Sequence, residues 1–157
     1  MRFQTVLVPL DGSALAEAAL PMAEEVLRGS PQATLVLMRA AFASTLPGVD
    51  PVAAEVSVVA EAEDYLEQIA ARLRERGVGR VVTSVWYGPP APSIVEAAEA
   101  RKADLIVMST HGRSGLGRLI LGSVAESVLR GTRIPILLVR AAQAPVDRPA
   151  GPTRPAD

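Results

Sequence analysis

The sequence predicts an α/β fold: a single doubly wound parallel sheet of five strands with helices on both faces. Short runs rich in valine, leucine and isoleucine alternate along the chain with segments that repeat their apolar residues at helical spacing. The strand-like runs are apolar almost throughout, which is typical of strands that helices cover on both faces. The length of 157 residues, 49% of them hydrophobic, fits one folded domain.

Five apolar runs predict the strands, over residues 3–10, 33–40, 81–86, 104–109 and 134–140. The first run ends at Asp11 and Gly12, a turn signal. Parallel strands require crossover connections, and these connections are right-handed. The helices between the strands therefore pack against both faces of the sheet.

Four helical segments connect these strands. Three of them cover residues 13–29, 50–77 and 93–101, and the fourth follows the glycine-rich loop and ends near Gly131. The first contains Pro21, which predicts a kink because proline removes a backbone hydrogen bond. The second begins with Asp50 as N-cap and Pro51 at the first helical position.

The composition excludes several classes of protein. No cysteine is present, so disulfides and cysteine-ligated zinc are excluded, and the single histidine, His111, excludes a histidine-rich metal site. Lys102 is the only lysine and follows no glycine motif, which excludes a P-loop ATPase, and the first βα turn has one glycine where a dinucleotide dehydrogenase needs three.

Charge and hydropathy indicate which binding partners and which cellular location to expect. A net charge of -1 gives no general attraction to nucleic acid or to an anionic membrane. The chain has no apolar run of about 18 residues, so we expect no signal peptide or membrane span, and a cytoplasmic location. Residues 1–141 are expected to form the domain, and the proline-rich residues 142–157 a disordered tail.

Ligands of doubly wound folds bind beyond the carboxyl ends of the strands, at the point where the strand order reverses. This rule selects the loop after the first strand, residues 9–13, and the loop after the fourth, residues 109–123. The second loop suits a polyphosphate because glycines allow backbone N–H groups to approach oxygens, and a helix start offers unpaired N–H groups. The candidate nucleotide-binding residues in this loop and at the helix start that follows it are Ser109, Gly112, Arg113, Gly115, Gly122, Ser123 and Val124.

The same loop has structural interpretations. Ser123 and Glu126 have capping-box spacing, so this pair is also consistent with a simple helix start. Gly112, Gly115 and Gly117 are also consistent with a flexible turn. His111 is a candidate phosphate contact, but a lone loop histidine is more often a hydrogen-bonded spacer.

Residues 2–140 resemble the universal stress protein family. The resemblance rests on VLVPLDGS after the first strand, on the run ADLIVMSTHGRSGLGRLILGSVAESVLR and on the closing strand IPILLV. ATP-binding members have the pattern Gly-x2-Gly-x9-Gly-Ser/Thr, which Gly112, Gly122 and Ser123 match, whereas Ser109 replaces the first glycine. The resemblance implies the adenine nucleotide alpha-hydrolase-like fold, with strand order 3-2-1-4-5, and ATP with Mg²⁺ as cofactor.

The resemblance also implies roles for the first loop. Pro9, Leu10 and Asp11 match the segment that lines the adenine and ribose pocket, and Asp11 is the candidate contact to Mg²⁺ through Mg-ATP. Ala40, at the end of the second strand, matches a small apolar position against adenine. The alternatives are a turn or helix-capping role for Asp11 and plain core packing for Ala40.

These observations predict a stress-response module that binds ATP and hydrolyses it slowly or not at all, and they assign no catalytic residue. One alternative is a slow ATPase whose turnover depends on Asp11 and Arg113. The other is a nucleotide-free interaction scaffold on the same fold. The resemblance further implies a homodimer through the last strand, residues 134–139, which is strongly apolar for a terminal strand.

Overall fold

The computed structural model describes residues 2–44, 46–110 and 122–141. Five strands form one sheet: β1 (Thr5–Pro9), β2 (Thr34–Ala41), β3 (Arg80–Tyr87), β4 (Leu105–Thr110) and β5 (Ile136–Arg140). Their order is β3-β2-β1-β4-β5, and every neighbouring pair is parallel. The predicted fold class and strand order are confirmed.

Helices connect the strands and cover both faces of the sheet. They are α1 (Ala14–Glu17), α2 (Leu20–Leu27), α3 (Pro51–Glu75), α4 (Pro90–Ala100) and α5 (Ser123–Gly131). Side chains of α2 and α3 pack on one face, and side chains of α4 and α5 pack on the other. The strands β1, β2 and β4 are therefore buried from two sides, which explains their nearly continuous apolar runs.

The core consists of two layers, one on each face of the sheet, and successive side chains of β1 point alternately into one layer and the other. Val6 and Val8 point to one face and pack with the cluster that contains Leu66 of α3. Leu7 points to the opposite face and packs with the cluster that contains Ala97 of α4. All five side chains are fully buried. Because β1 lies at the centre of the sheet, it positions the loop that follows it.

The predicted start and end of α3 are confirmed. The Asp50 side chain accepts a hydrogen bond from the amide of Val52 at 3.0 Å, and Pro51 occupies the first turn, where no backbone donor is needed. Gly77 follows the helix at a φ of 84°, a left-handed conformation that glycine adopts without strain.

Two predicted helix boundaries are wrong, both because of proline. The single kinked helix over residues 13–29 is two helices, with Ala18 and Ala19 between them and Pro21 as the second residue of α2. The backbone bond that proline lacks is not required in a first turn. For the same reason α4 begins at Pro90 rather than at Ser93.

The last strand begins two residues later than predicted. Pro135 precedes it and has no N–H to donate, while the amide of Ile134 donates to the Thr132 hydroxyl at 3.1 Å. On one side β5 pairs with β4, and it forms an edge of the sheet. The predicted disordered tail, residues 142–157, lies outside the described residues.

Candidate functional site

A cavity of about 280 Å³ opens at the carboxyl ends of β1 and β4. The strand order reverses between these two strands, so the cavity lies at the switch point that the topology predicts. Segments from four parts of the chain line it: the first loop with α1, the start of α4, the end of β4 and the start of α5. The described lining residues are Pro9, Asp11, Ala16, Pro90, Ile94, Met108, Ser109, Gly122, Ser123, Val124 and Ala125.

The first loop presents a carboxylate at one side of the cavity. Asp11 is exposed, and its Oδ1 accepts hydrogen bonds from the Ser13 amide at 2.9 Å and from the Ser13 hydroxyl at 2.5 Å. The Ser13 hydroxyl in turn accepts from the Ala16 amide at 3.1 Å, so Ser13 is the N-cap of α1. Asp11 thus supports the cap through one oxygen, which is the turn role considered for it, and it also lines the cavity.

The turn between Asp11 and Ser13 requires glycine. Gly12 has a φ of 87°, a conformation that other residues rarely adopt. A Cβ at this position would lie 3.5 Å from the Arg39 guanidinium, which is therefore packed against the loop backbone. Arg39 also lies 5.0 Å from the centre of the Tyr65 ring, within cation–π range.

None of the four residues of α1 is fully buried, and polar contacts supplement the packing of its partly buried Ala16 against the core. On its outer side the Tyr65 hydroxyl donates to Glu17 at 3.0 Å, and Arg72 lies 3.5 Å from the same carboxylate. Burial raises the pKa of Tyr65, and the hydrogen bond to Glu17 and the negative charges of Glu17 and Asp11 raise it further. The nearby Arg39 acts in the opposite direction.

Ser109 forms the wall of the cavity at the end of β4. Its hydroxyl donates to the carbonyl of Leu15 in α1 at 2.5 Å. The side chain that replaces the first glycine of the family pattern therefore spans from β4 to the first loop segment. It connects two parts of the chain that are 94 residues apart.

The start of α5 contributes backbone donors. Gly122 is the N-cap, and its carbonyl accepts the first helical bond from the Glu126 amide at 2.9 Å. The amides of Ser123, Val124 and Ala125 precede that bond and have no partner within the helix. Because all three residues line the cavity, the helix end is suited to an anion placed there.

The capping-box interpretation of this segment is wrong. Ser123 is the first residue of the helix rather than its N-cap, and no side chain of the described residues caps α5. The Glu126 carboxylate instead pairs with Arg130 at 2.6 Å. The exposed Ser123 hydroxyl has no hydrogen-bond partner among the residues that the structure describes.

The remaining wall is apolar. Ile94 of α4 and Met108 of β4 are almost completely buried, and Pro9 and Pro90 lie beside them at the cavity. A carboxylate, amides without a partner in their own helix and an apolar wall form the mixed lining that is typical of small-molecule sites.

The structure does not bring all of the predicted residues to the cavity. Leu10 is 4% exposed in the core, where its amide donates to the Met38 carbonyl at 2.7 Å. Ala40 is half-buried, lies opposite Trp86 in the sheet and packs against the second core layer. Neither is among the described lining residues, and the packing role considered for Ala40 is the one observed.

Four residues singled out in the second loop, His111, Gly112, Arg113 and Gly115, lie outside the described residues. The sequence interpretation missed Ala16, Pro90, Ile94, Met108 and Ala125. A usable signal exists for Pro90 and Ile94, because the Gly-Pro-Pro turn after β3 places the start of α4 at the same edge of the sheet as the first loop.

Two further properties concern the described ranges alone. They contain no cluster of three or more histidine, aspartate or glutamate side chains that could hold a metal ion. None of the helices in these ranges combines the length and the apolar character needed to cross a membrane.

The fold and the cavity define a class: a doubly wound α/β domain with a ligand site at its switch point. The chain belongs to the universal stress protein family, whose family model matches residues 2–140. With universal stress proteins of known structure it shares the adenine nucleotide alpha-hydrolase-like fold.

Individual relatives agree with this assignment. The chain is 45% identical over 80 residues to universal stress protein MJ0531 of Methanocaldococcus jannaschii, a match that spans 51% of this chain and 46% of that protein. A Thermus aquaticus universal stress protein is 34% identical over 152 residues, which cover 88% of this chain and 99% of the relative. A universal stress protein solved in complex with cAMP superposes with a TM-score of 0.69 at 26% identity, over 88% of this chain and 98% of that one.

Proposed function

We propose that this chain is a nucleotide-responsive regulatory module that binds ATP, with Mg²⁺, in the switch-point cavity and hydrolyses it slowly or not at all. The observation that carries the proposal is the geometry of the cavity. Three amide N–H groups at the start of α5, the Asp11 carboxylate and one apolar wall line the same cavity. The relative solved with cAMP supports an adenine nucleotide as the ligand.

Each part of the cavity suits one part of the ligand. The phosphates accept from the amides of Ser123 to Ala125, where the helix dipole favours negative charge. The base packs on the apolar wall that contains Ile94 and Met108. Asp11 accepts from a ribose hydroxyl or contacts Mg²⁺, which proteins commonly hold through one or two carboxylates together with the phosphates of the nucleotide.

Slow hydrolysis follows from the position of Asp11. Efficient phosphoryl transfer needs a group that orients the attacking water in addition to the metal contact. The Oδ1 of Asp11 is already held by the amide and the hydroxyl of Ser13. Its second oxygen serves the nucleotide or the metal, so this carboxylate is not free to activate water. We therefore propose a binding module rather than an ATPase.

The proposal includes a cytoplasmic homodimer. β5 lies at the edge of the sheet with β4 on one side, and Leu138 is 37% exposed. An apolar edge strand pairs readily with another chain. The second copy is therefore proposed to pair through residues 134–139.

A pair of aspartate variants tests the proposed ATP site. Asp11→Asn keeps a carbonyl oxygen for the Ser13 amide but removes the charge. Hydrogen bonds to charged groups contribute about 1.5–3 kcal/mol, so we expect ATP affinity to fall roughly tenfold to 100-fold in titration calorimetry. Asp50→Asn is the matched control, because Asp50 also accepts from the amide two residues later but does not line the cavity. Equal effects of the two variants, or no effect of Asp11→Asn, would remove Asp11 from the site.

A further inference from the structure

Ser109 occupies the position where the family pattern has its first glycine, yet the structure gives its side chain a specific partner. The hydroxyl donates to the Leu15 carbonyl at 2.5 Å, while the residue lines the cavity. We propose that Ser109 is a positioning residue, which ties α1 to β4 and thereby holds Asp11 and Ala16 in the cavity wall. This inference rests in part on the proposed function, because it concerns the same cavity.

The proposal follows first from how little else holds α1. The helix has four residues and none is fully buried, and its apolar packing within the described part of the chain is limited to Ala16, which lies partly buried against the first core layer. Its outer side is attached through Glu17 to Tyr65 and Arg72 of α3. On the side of the cavity, Ser109 provides the side-chain hydrogen bond.

The same segment carries the residues that a ligand meets. Asp11 precedes α1 by three residues and is linked to it through the Ser13 cap, and Ala16 lies within the helix. Both residues line the cavity together with Ser109. A shift of α1 away from β4 would move the carboxylate and the apolar contact together.

The hydrogen bond from Ser109 to Leu15 also indicates that Ser109 does not contact the nucleotide directly. Its hydroxyl proton is directed at the Leu15 carbonyl, so the group does not donate to a phosphate in this arrangement. Ordering the wall before a ligand arrives lowers the entropy lost on binding. In this chain the serine therefore serves the site through α1 rather than through direct contact with the nucleotide.

Hydrogen exchange in the ligand-free protein tests, independently of any ligand, whether the bond from Ser109 to Leu15 holds α1 in place. In Ser109→Ala we expect the hydrogen-bonded amides of Ala16, Glu17 and Ala18 to exchange about twofold to tenfold faster, the range for loss of one hydrogen bond. Ser109→Thr keeps the hydroxyl and should exchange as the wild type does. Ser84→Ala is the control, because Ser84 is a buried serine of β3 whose hydroxyl bonds with Trp86 and Arg101, away from the cavity.

Unchanged exchange in Ser109→Ala, or the same acceleration in Ser84→Ala, would contradict the claim that the bond from Ser109 to Leu15 holds α1 against β4. The second readout is ATP affinity, measured on protein that circular dichroism shows to be folded. We expect Ser109→Ala to bind ATP about twofold to tenfold more weakly. An affinity equal to that of the wild type, beside accelerated exchange, would show a structural bond without a positioning role. If the wild type binds no ATP, the proposed function and the positioning role both fail, and exchange alone still decides whether the bond exists.

Discussion

Replacement of Gly122 by valine perturbs the proposed phosphate site at the start of α5. The backbone of Gly122 has a φ of -54° and a ψ of 149°, a conformation that any residue adopts. Valine is therefore tolerated by the backbone, and its side chain adds branched bulk beside the three amides that have no partner within α5. Valine is a poorer N-cap residue than glycine, so we expect a loss of about 1 kcal/mol in the free energy of unfolding. A domain with roughly 5–15 kcal/mol of stability remains folded after that loss.

The effect on binding should be much larger than the effect on stability. If the added side chain prevents two amide contacts to the phosphates, each contributing about 1.5 kcal/mol, ATP affinity falls roughly 100-fold. Titration calorimetry measures the affinity, and urea unfolding with circular dichroism measures the stability. Gly79→Val is the control. Gly79 directly precedes β3, at the amino end of that strand and away from the cavity, and a Cβ there would meet the Pro31 carbonyl oxygen at an ordinary 3.5 Å. ATP binding that Gly122→Val leaves intact, or that Gly79→Val weakens equally, would refute the reasoning.

Two further perturbations test the dimer and the pH dependence. Leu138→Glu places a charge on the apolar edge strand, so we expect light scattering after size exclusion to show a monomer, whereas Leu129→Glu, at an exposed leucine of α5, leaves a dimer. A wild-type monomer, or dissociation by both variants, would contradict the proposed interface. The pKa of Tyr65 is raised by its burial and by Glu17, so the folded protein keeps the phenol proton that the unfolded chain loses above about pH 10. The free energy of unfolding should therefore fall as the pH rises above 10, and Tyr65→Phe should flatten this decline; an equal slope in the two proteins would exclude Tyr65 as its source.

The sequence predicted the sheet well because strand burial leaves a direct signal. The apolar run around Val6 to Val8 is buried on both faces, and the Asp50-Pro51 pair begins α3 through a local hydrogen bond. Such features depend on neighbours in sequence or on burial alone. The fold class therefore followed from the pattern of residues.

The details of the site depended on contacts between distant segments. Residue spacing alone does not show that Gly122, rather than Ser123, is the N-cap of α5. The bond from Ser109 to Leu15 joins residues 94 positions apart, and only the packing of α1 against β4 brings them together. Leu10 adjoins Asp11 in sequence, yet it points into the core because it continues, one residue beyond β1, the alternation of Val6 and Val8.

The most direct test of the central proposal is a calorimetric titration of the purified, nucleotide-stripped wild-type protein with ATP and Mg²⁺. Mass spectrometry of the protein before stripping would identify any ligand that co-purifies. We expect saturable binding in the micromolar range, about -8 kcal/mol, and an adenine nucleotide among the co-purified ligands. No binding at millimolar ATP, together with no carried-over nucleotide, would contradict the proposal and favour the nucleotide-free scaffold.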